Sequence, residues 1–266
     1  MLGISSEHVT ILRRSVRAAR IAAHLIYGLL LACVLWIIAA TLPQKYLRIR
    51  ARWVRRWLSS AVSILGIRIS VAGHLPVQNA LFVANHISWL DILAMAAVTE
   101  GDFIAKQEVR EWPLLGWLVS QGGTLFVRRG HAIACKRIIE ETAFRLKSGR
   151  NVILFPEGTT TTGAQVLPFK PLLLRAAVLA QMPVQPVALR YEIPSGHQER
   201  AAFVGEMGFV SHLWKVMGLR DIRLHISFTR PLAVIGTTER QLAEAASQAV
   251  ADKLGIAAES RRATAA

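Results

Sequence analysis

The feature that most constrains this chain is an apolar run without formal charge at residues 21–42. As a helix it would be roughly 33 Å long, enough to cross the hydrocarbon core of a bilayer. Ten basic residues and one acid, Glu7, lie in the first 60 residues, so cations flank the run on both sides. Such flanks attract anionic lipid headgroups. The run therefore predicts a membrane anchor, while a signal peptide and a buried core helix are the alternative interpretations.

A second apolar stretch, residues 57–71, follows the arginine-rich segment and is predicted to return along the membrane surface as an interfacial helix. Arginines interspersed with Trp53 and Trp57 could instead bind nucleic acid, but beside a membrane segment lipid is the favoured partner. Residues 1–71 are therefore assigned to a basic, membrane-anchoring helical region. Whether it spans the bilayer or lies in one leaflet is open, and we expect the active domain on the cytoplasmic face.

Short apolar runs alternate with helical patterns from residue 80 onward. The predicted strands are 80–84, 102–105, 124–127, 151–155, 184–190 and 222–229, and the predicted helices are 132–147, 171–181 and 238–254. This alternation predicts an α/β domain with a mixed, partly parallel sheet flanked by helices, over residues 72–256. Residues 257–266 are small and polar, and they are predicted to form a flexible tail.

The first candidate for chemistry is the segment NHISWLD at residues 85–91, directly after the predicted strand 80–84. On one continuous helix His86 and Asp91 would point about 140° apart, so contact requires His86 to lie in the preceding turn. With Ser88 as the N-cap, Asp91 falls at the third helical position and can reach back to the imidazole. A carboxylate there fixes the tautomer and leaves the other ring nitrogen as a base. The same spacing is typical of a capping box, so both interpretations stay open.

Two more candidates follow predicted strands. In FPEGTTTTG, residues 155–163, Glu157 ends a strand, Gly158 allows close approach of the backbone to a ligand, and the threonine hydroxyls can donate hydrogen bonds. The third candidate joins residues 106–116, which begin with Lys106, to residues 123–130, in which Arg128 follows a strand. A guanidinium there can bind phosphate. Taken singly, an acidic turn and solvated surface charge explain these segments as well.

Together the segments resemble the glycerolipid acyltransferase family, in particular the 1-acyl-sn-glycerol-3-phosphate (lysophosphatidic acid) acyltransferase group. The matching blocks are NHISWLD at 85–91, residues 106–116, GTLFVRR at 123–129, FPEGTT at 155–160 and VQPVAL at 184–189. The resemblance spans about residues 70–230 in the family's block order. It implies that His86 is the catalytic base and Asp91 its orienting carboxylate. It assigns substrate binding to Arg128, Glu157 and Gly158, and we expect Lys106 and Thr159, from the same segments, to bind substrate as well.

The reaction implied by this resemblance moves a fatty acyl group from acyl-CoA or acyl-carrier protein to the sn-2 hydroxyl of lysophosphatidate, giving phosphatidate. His86 takes the hydroxyl proton and the oxygen attacks the thioester, so no serine or cysteine nucleophile is needed. Apart from the acyl donor as co-substrate, no cofactor, metal or nucleic acid is expected. The formal charge of +15 suits a phosphate-bearing acceptor and an anionic carrier.

Three alternatives to this reaction stay open at the level of the sequence. The acceptor could be another lyso-lipid or glycerol-3-phosphate. The chain could hydrolyse the thioester, with water as the acceptor. It could also be a non-catalytic basic adaptor at the membrane, which would explain the anchor and the charge but not a histidine and a glutamate at strand ends. The two cysteines, Cys33 and Cys135, argue against a disulfide-stapled scaffold.

Overall fold

The structure, a computed structural model, describes residues 6–73, 79–112, 115–128, 130–194, 196 and 198–259. The strands are β1 (Ile67–Gly73), β2 (Leu81–Ala84), β3 (Asp102–Lys106), β4 (Leu125–Val127), β5 (Val152–Leu154), β6 (Val184–Glu192) and β7 (Ile222–Phe228). The α-helices are α1 (Ser6–Thr41), α2 (Pro43–Leu65), α3 (Leu90–Val98), α4 (Gln107–Arg110), α5 (Leu115–Gln121), α6 (Ala132–Lys147), α7 (Arg175–Ala180), α8 (Phe209–Gly218) and α9 (Glu239–Leu254). Short 3-10 turns lie at Leu172–Leu174 and Gln198–Arg200.

These strands form one sheet in the order β1-β7-β6-β2-β5-β3-β4. From β6 to β4 neighbouring strands run parallel, whereas β7 is antiparallel to β6 and parallel to β1. The predicted mixed, partly parallel sheet is confirmed. The carboxyl ends of β2, β5, β3 and β4 therefore share one edge of the sheet, where ligands of open α/β sheets bind.

The central strand β2 shows why both faces of the sheet are covered. All four of its residues are buried, and they alternate between two hydrophobic cores. Phe82 and Ala84 face a core shared with α2, α3 and α8, whereas Leu81 and Val83 face a core shared with α6, α7 and α9. A strand buried on both sides has a continuous apolar sequence, as this one does.

Local signals set the ends of the helix that closes the domain. In α9, predicted over residues 238–254, Thr238 and Gln241 form a capping box. Thr238 Oγ1 accepts from the backbone N–H of Gln241 at 3.3 Å, and Gln241 Oε1 accepts from the backbone N–H of Thr238 at 3.0 Å. Gly255 ends the helix at φ 67°, in the left-handed region that glycine adopts without strain. The sequence alone therefore locates both ends of this helix.

The predicted apolar run lies in a longer helix. α1 continues without interruption over 36 residues and contains all of the run except Leu42. It is long and apolar enough to cross a membrane, and only 22% of its most apolar window is buried within the protein. The exposed large apolar side chains of its second half are Ile26, Tyr27, Leu30, Val34, Trp36 and Ile37. This exposed face is the part of α1 that suits contact with lipid.

Two arginines attach the first half of α1 to the domain. Arg13 donates to the carbonyl of Gly218 at 2.9 Å, and Arg17 donates to the carbonyls of Met217 and Leu219 at 3.0 and 2.8 Å. These carbonyls lie at the carboxyl end of α8, where a helix lacks partners of its own and carries partial negative charge. The basic residues of α1 thus serve partly as contacts within the protein.

The stretch 57–71 differs from its prediction as a single interfacial helix. α2 already begins at Pro43 and includes the arginine-rich segment, and it ends where Gly66 adopts a φ of 73°. Beyond Gly66 the apolar residues alternate with Arg68 and Ser70, which is the period of a strand, and β1 pairs with β7. The helix prediction is therefore wrong for 67–71, and the predicted boundary between residues 71 and 72 falls inside β1.

The predicted flexible tail begins with residues that pair with the domain. The backbone N–H of Val166 donates to the carbonyl of Ala257 at 3.4 Å, and that of Glu259 donates to the carbonyl of Val166 at 3.0 Å. Ala257 and Glu259 thus lie against the domain. Residues 260–266 of the tail are outside the described residues.

Candidate active site

His86 and Asp91 are in direct contact at the carboxyl end of β2. His86 Nδ1 lies 2.8 Å from Asp91 Oδ2. Because a carboxylate only accepts hydrogen bonds, this contact places the ring proton on Nδ1 and leaves a lone pair on Nε2. No described residue hydrogen-bonds Nε2, and the His86 side chain is 17% exposed while that of Asp91 is fully buried. The ring can therefore accept a proton from an incoming hydroxyl group.

Asp91 is held by more than the imidazole. The same Oδ2 atom accepts from the backbone N–H groups of Ile87 and Ser88 at 2.7 and 2.9 Å. The helix α3 begins at Leu90, so Asp91 occupies its second position and Trp89 is the N-cap. The prediction of Ser88 as N-cap and of Asp91 at the third position is wrong, since the carboxylate of Asp91 itself takes the N–H groups of the turn. The predicted contact with His86 is present all the same.

A second loop packs against the imidazole. The ring of Phe155, directly after β5, stacks on that of His86 with centroids 4.1 Å apart and an interplanar angle of 17°. In the same loop the backbone N–H of Thr161 donates to the carbonyl of His86 at 2.8 Å. β2 and β5 are adjacent and parallel, so their two following loops meet at this point. The segments NHISWLD and FPEGTTTTG are thus brought together at the carboxyl ends of the two strands.

Glu157, two residues after Phe155, lies in the interior. It is 2% exposed, and neither carboxylate oxygen has a hydrogen-bond partner among the described residues. Burial raises the pKa of Glu157 to about 8, and the charge of Asp91 adds to this, while the nearby backbone N–H groups of His86 and Leu167 partly oppose it. Its carboxyl group is thus protonated over much of the neutral pH range, and a role in substrate binding stays a prediction.

Replacing Glu157 by glutamine should change how stability depends on pH. The raised pKa means that the folded chain binds this proton more tightly, so the contribution of Glu157 to stability falls as pH rises from about 4.5 through about 8. We expect Glu157→Gln to gain a few kcal/mol relative to wild type between pH 5.5 and 8.5. The free energy of unfolding of both proteins, measured at pH 5.5 and 8.5, tests this prediction, and Glu244→Gln, at an exposed residue, is the control. The same pH dependence of that free energy in wild type and Glu157→Gln would contradict it.

The other predicted binding residues lie along the same edge of the sheet. Gly158 adopts a φ of 76° in the turn after β5, and Thr159 beside it is exposed. Lys106 ends β3 and Arg128 follows β4, and both are exposed. β3 and β4 are two and three strands from β2, or roughly 10 and 14 Å at about 4.8 Å per strand. The edge thus carries the imidazole of His86 at one end and the two cations at the other.

Parts of two motifs fall outside the described residues. They are Pro113 and Leu114 in the segment 106–116, and Arg129 in GTLFVRR.

Sequence reasoning missed the contacts that Leu189 and Tyr191 of the strand β6 make with this site. Asn85 exchanges two hydrogen bonds with the backbone of Leu189 on β6, at 3.0 and 2.8 Å. Tyr191 on the same strand donates to Asp91 Oδ1 at 2.7 Å. The available signal was the alternation along β6, which places Leu189 and Tyr191 on one face. The pairing of β6 with β2, which brings them to the site, was not in the sequence pattern.

Comparison with known proteins also identifies acyltransferases. The family model described as Acyltransferase matches residues 67–190. A lyso-ornithine lipid O-acyltransferase of Pseudomonas aeruginosa is 37% identical over 241 residues, which are 90% of this chain and 92% of that protein. A 1-acyl-sn-glycerol-3-phosphate acyltransferase of Neisseria gonorrhoeae is 35% identical over 170 residues, which are 63% and 67% of the two chains.

A solved structure has the same fold. The crystal structure of the 1-acyl-sn-glycerophosphate (LPA) acyltransferase from Thermotoga maritima matches with a TM-score of 0.71 at 22% identity, over 94% of this chain and 97% of that one. The fold is therefore shared across nearly the whole length. The extent of the sequence match to the Pseudomonas relative establishes the family. This chain belongs to the acyltransferase family that includes the 1-acyl-sn-glycerol-3-phosphate acyltransferases.

Proposed function

We propose that this acyltransferase moves a fatty acyl group from a thioester donor to the free hydroxyl of lyso-ornithine lipid, with His86 as the general base. The observation that carries the base assignment is the 2.8 Å contact of His86 Nδ1 with Asp91 beside an Nε2 that has no described partner. The acceptor is taken from the Pseudomonas relative, which matches nearly the whole chain.

In the proposed reaction Nε2 of His86 takes the proton of the acceptor hydroxyl as its oxygen attacks the thioester carbonyl carbon. A carbon–oxygen bond forms, the carbon–sulfur bond breaks, and the imidazolium returns the proton to the leaving thiolate. Asp91 stabilises the transient imidazolium through Nδ1–H. General-base catalysis contributes about 10²–10⁴-fold, and the rest comes from holding the two substrates in place.

A second acceptor, lysophosphatidate, is favoured by the Neisseria relative and by the exposed cations Lys106 and Arg128. Both acceptors offer a hydroxyl and an anionic group, which is the ornithine carboxylate in one and the phosphate in the other. A guanidinium binds either group with two parallel hydrogen bonds. The site chemistry therefore supports both acceptors, and the comparison of relatives ranks them.

The donor and the location of the enzyme are part of the proposal. Acyl-CoA and acyl-carrier protein both carry phosphate, which suits a chain with a net charge of +15. Both are found in the cytoplasm, so the domain would lie on the cytoplasmic face, with the exposed apolar side chains of α1 in the lipid. The lipid acceptors named for the relatives support membrane association, and an enzyme of this family is favoured over a non-catalytic adaptor.

An acceptor panel tests the proposed function. The purified full-length chain is given lyso-ornithine lipid, lysophosphatidate or an uncharged monoacylglycerol, each with acyl-CoA and with acyl-carrier protein, and the products are identified by mass. We expect the highest kcat/KM with lyso-ornithine lipid and the lowest with monoacylglycerol. Exclusive use of lysophosphatidate would overturn the choice of acceptor. Release of free fatty acid without any ester would overturn the transferase assignment in favour of a hydrolase.

Arg128→Ala should weaken acceptor binding. Loss of a charge-assisted pair costs about 1.5–3 kcal/mol, so we expect the KM for the acceptor to rise by about tenfold or more. The KM for the donor should stay the same. Initial rates over a range of both substrates measure this, and Arg240→Ala, an exposed arginine on α9, serves as the matched control. An unchanged acceptor KM in Arg128→Ala would mean that the anion binds elsewhere.

A further inference from the structure

We propose that Tyr191 is a positioning residue for acyl transfer, whose phenol holds one oxygen of Asp91 so that the other stays directed at His86. This inference rests on the proposed function, in which His86 is the base. Tyr191 thereby becomes a third member of the group formed by His86 and Asp91. It lies on β6, 100 residues after Asp91 in the sequence.

The two oxygens of Asp91 have separate partners. Oδ2 accepts from His86 Nδ1 at 2.8 Å and from the backbone N–H groups of Ile87 and Ser88 at 2.7 and 2.9 Å. Oδ1 accepts a hydrogen bond from the Tyr191 hydroxyl at 2.7 Å. Among the described residues, Tyr191 is the donor to this oxygen. Every partner of Oδ2 belongs to the local turn, so Tyr191 is the contact that ties the carboxylate to the sheet.

The register of β6 fixes the position of the phenol. Two residues before Tyr191, the backbone of Leu189 exchanges hydrogen bonds with the side chain of Asn85, next to His86 in sequence. Alternation along the strand puts Leu189 and Tyr191 in the same core as α3, which carries Asp91. The hydroxyl therefore arrives at Asp91 from a rigid element.

Because this hydrogen bond is buried, its loss would leave Asp91 Oδ1 with little access to water. Asp91 is fully buried and Tyr191 is 3% exposed, so water has little access to replace the phenol. Burial, followed by the negative charge of Asp91, raises the pKa of the Tyr191 phenol well above its usual value, so the phenol keeps its proton and acts as a donor. Without the Tyr191 hydroxyl, Oδ1 of Asp91 would be buried with no hydrogen-bond partner among the described residues. The carboxylate could then turn about the Cβ–Cγ bond of Asp91.

Tyr191→Phe tests the proposal, because it keeps the ring that packs in the core and removes only the hydroxyl. We expect kcat to fall about tenfold with both KM values unchanged, the size expected for losing a hydrogen bond to a charged group. In proton NMR the downfield signal of the His86 Nδ1–H group, assigned by its absence in His86→Ala, should exchange faster with water. Tyr46→Phe on α2 is the matched control and should change neither reading.

A double variant separates positioning from a general loss of packing. If Tyr191 acts through Asp91, adding Tyr191→Phe to Asp91→Asn should lower kcat no further. An unchanged kcat, or an unchanged exchange rate of the His86 Nδ1–H signal in Tyr191→Phe, would overturn the proposal. The NMR reading needs no turnover. A wild-type chain inactive on every acceptor would therefore reject the proposed function, while the signal would still report whether Tyr191 acts on His86.

Discussion

Replacing His86 by alanine is expected to lower kcat by about 10²–10⁴-fold, because in the proposed mechanism the acceptor hydroxyl then loses the base that takes its proton. The KM values should change little, since the ring contributes to proton transfer rather than to binding. Initial rates with saturating thioester and lyso-lipid measure the effect. Circular dichroism should show an unchanged fold, because the His86 side chain is partly exposed.

His225 provides a matched control for this variant. Like His86 it contacts a carboxylate, with Nε2 3.0 Å from Glu192 Oε2, but it lies on β7 and its other ring nitrogen meets Ser70 at 2.6 Å. His225→Ala should keep the wild-type kcat. A His86→Ala enzyme with kcat within a few-fold of wild type would show that this imidazole is not the base.

Replacing Asp91 by asparagine is the second large expected effect. An amide oxygen in the place of Oδ2 can still accept from Ile87, Ser88 and His86 Nδ1, but it carries no negative charge to stabilise the imidazolium. We expect kcat to fall on the order of 10³-fold, below the loss of about 10⁴-fold that follows when an Asp→Asn change also imposes the wrong histidine tautomer. The near-equal size of asparagine keeps the buried space filled, so unfolding should show only a modest loss of stability.

Asp252→Asn on α9 is the control for the Asp91 variant, since this carboxylate accepts a hydrogen bond from Gln248 at 2.7 Å and is exposed. Rates for both variants are compared at the same pH and substrate concentrations. If Asp91→Asn turned over as fast as Asp252→Asn, Asp91 would only cap the turn before α3. Its hydrogen bonds from the backbone N–H groups of Ile87 and Ser88 would then be its whole role.

Much of the fold follows from local patterns. The alternation of residues 222–229 predicts β7, and Thr238 with Gln241 predicts the start of α9, because the stabilising contacts are a few residues apart. The strand β1 was missed since its apolar residues continue the pattern of the preceding helix, and only the left-handed Gly66 separates the two. The order of the strands depends on contacts between distant segments, which no local pattern contains.

In the candidate site, too, local contacts were predictable from the sequence and contacts between distant segments were not. The contact of His86 with Asp91 was predictable because both lie within seven residues after a strand. The error about Ser88 arose because a side chain further along, that of Asp91, took over the capping role. Tyr191 escaped notice because the predicted strand 184–190 ends one residue before it, and β6 extends to Glu192. Its hydroxyl gains significance only once β6 is placed beside β2.

The central claim is that the acyl group passes directly from the thioester to a lipid hydroxyl. A single-turnover experiment with excess enzyme and a ¹³C-labelled acyl thioester tests it most directly, with the masses of the lipid and of the intact protein followed over time. We predict that labelled ester appears at the rate at which thioester is consumed, with no labelled protein on the way. Transient acylation of the protein at a competent rate, or label found only in free fatty acid, would contradict the account.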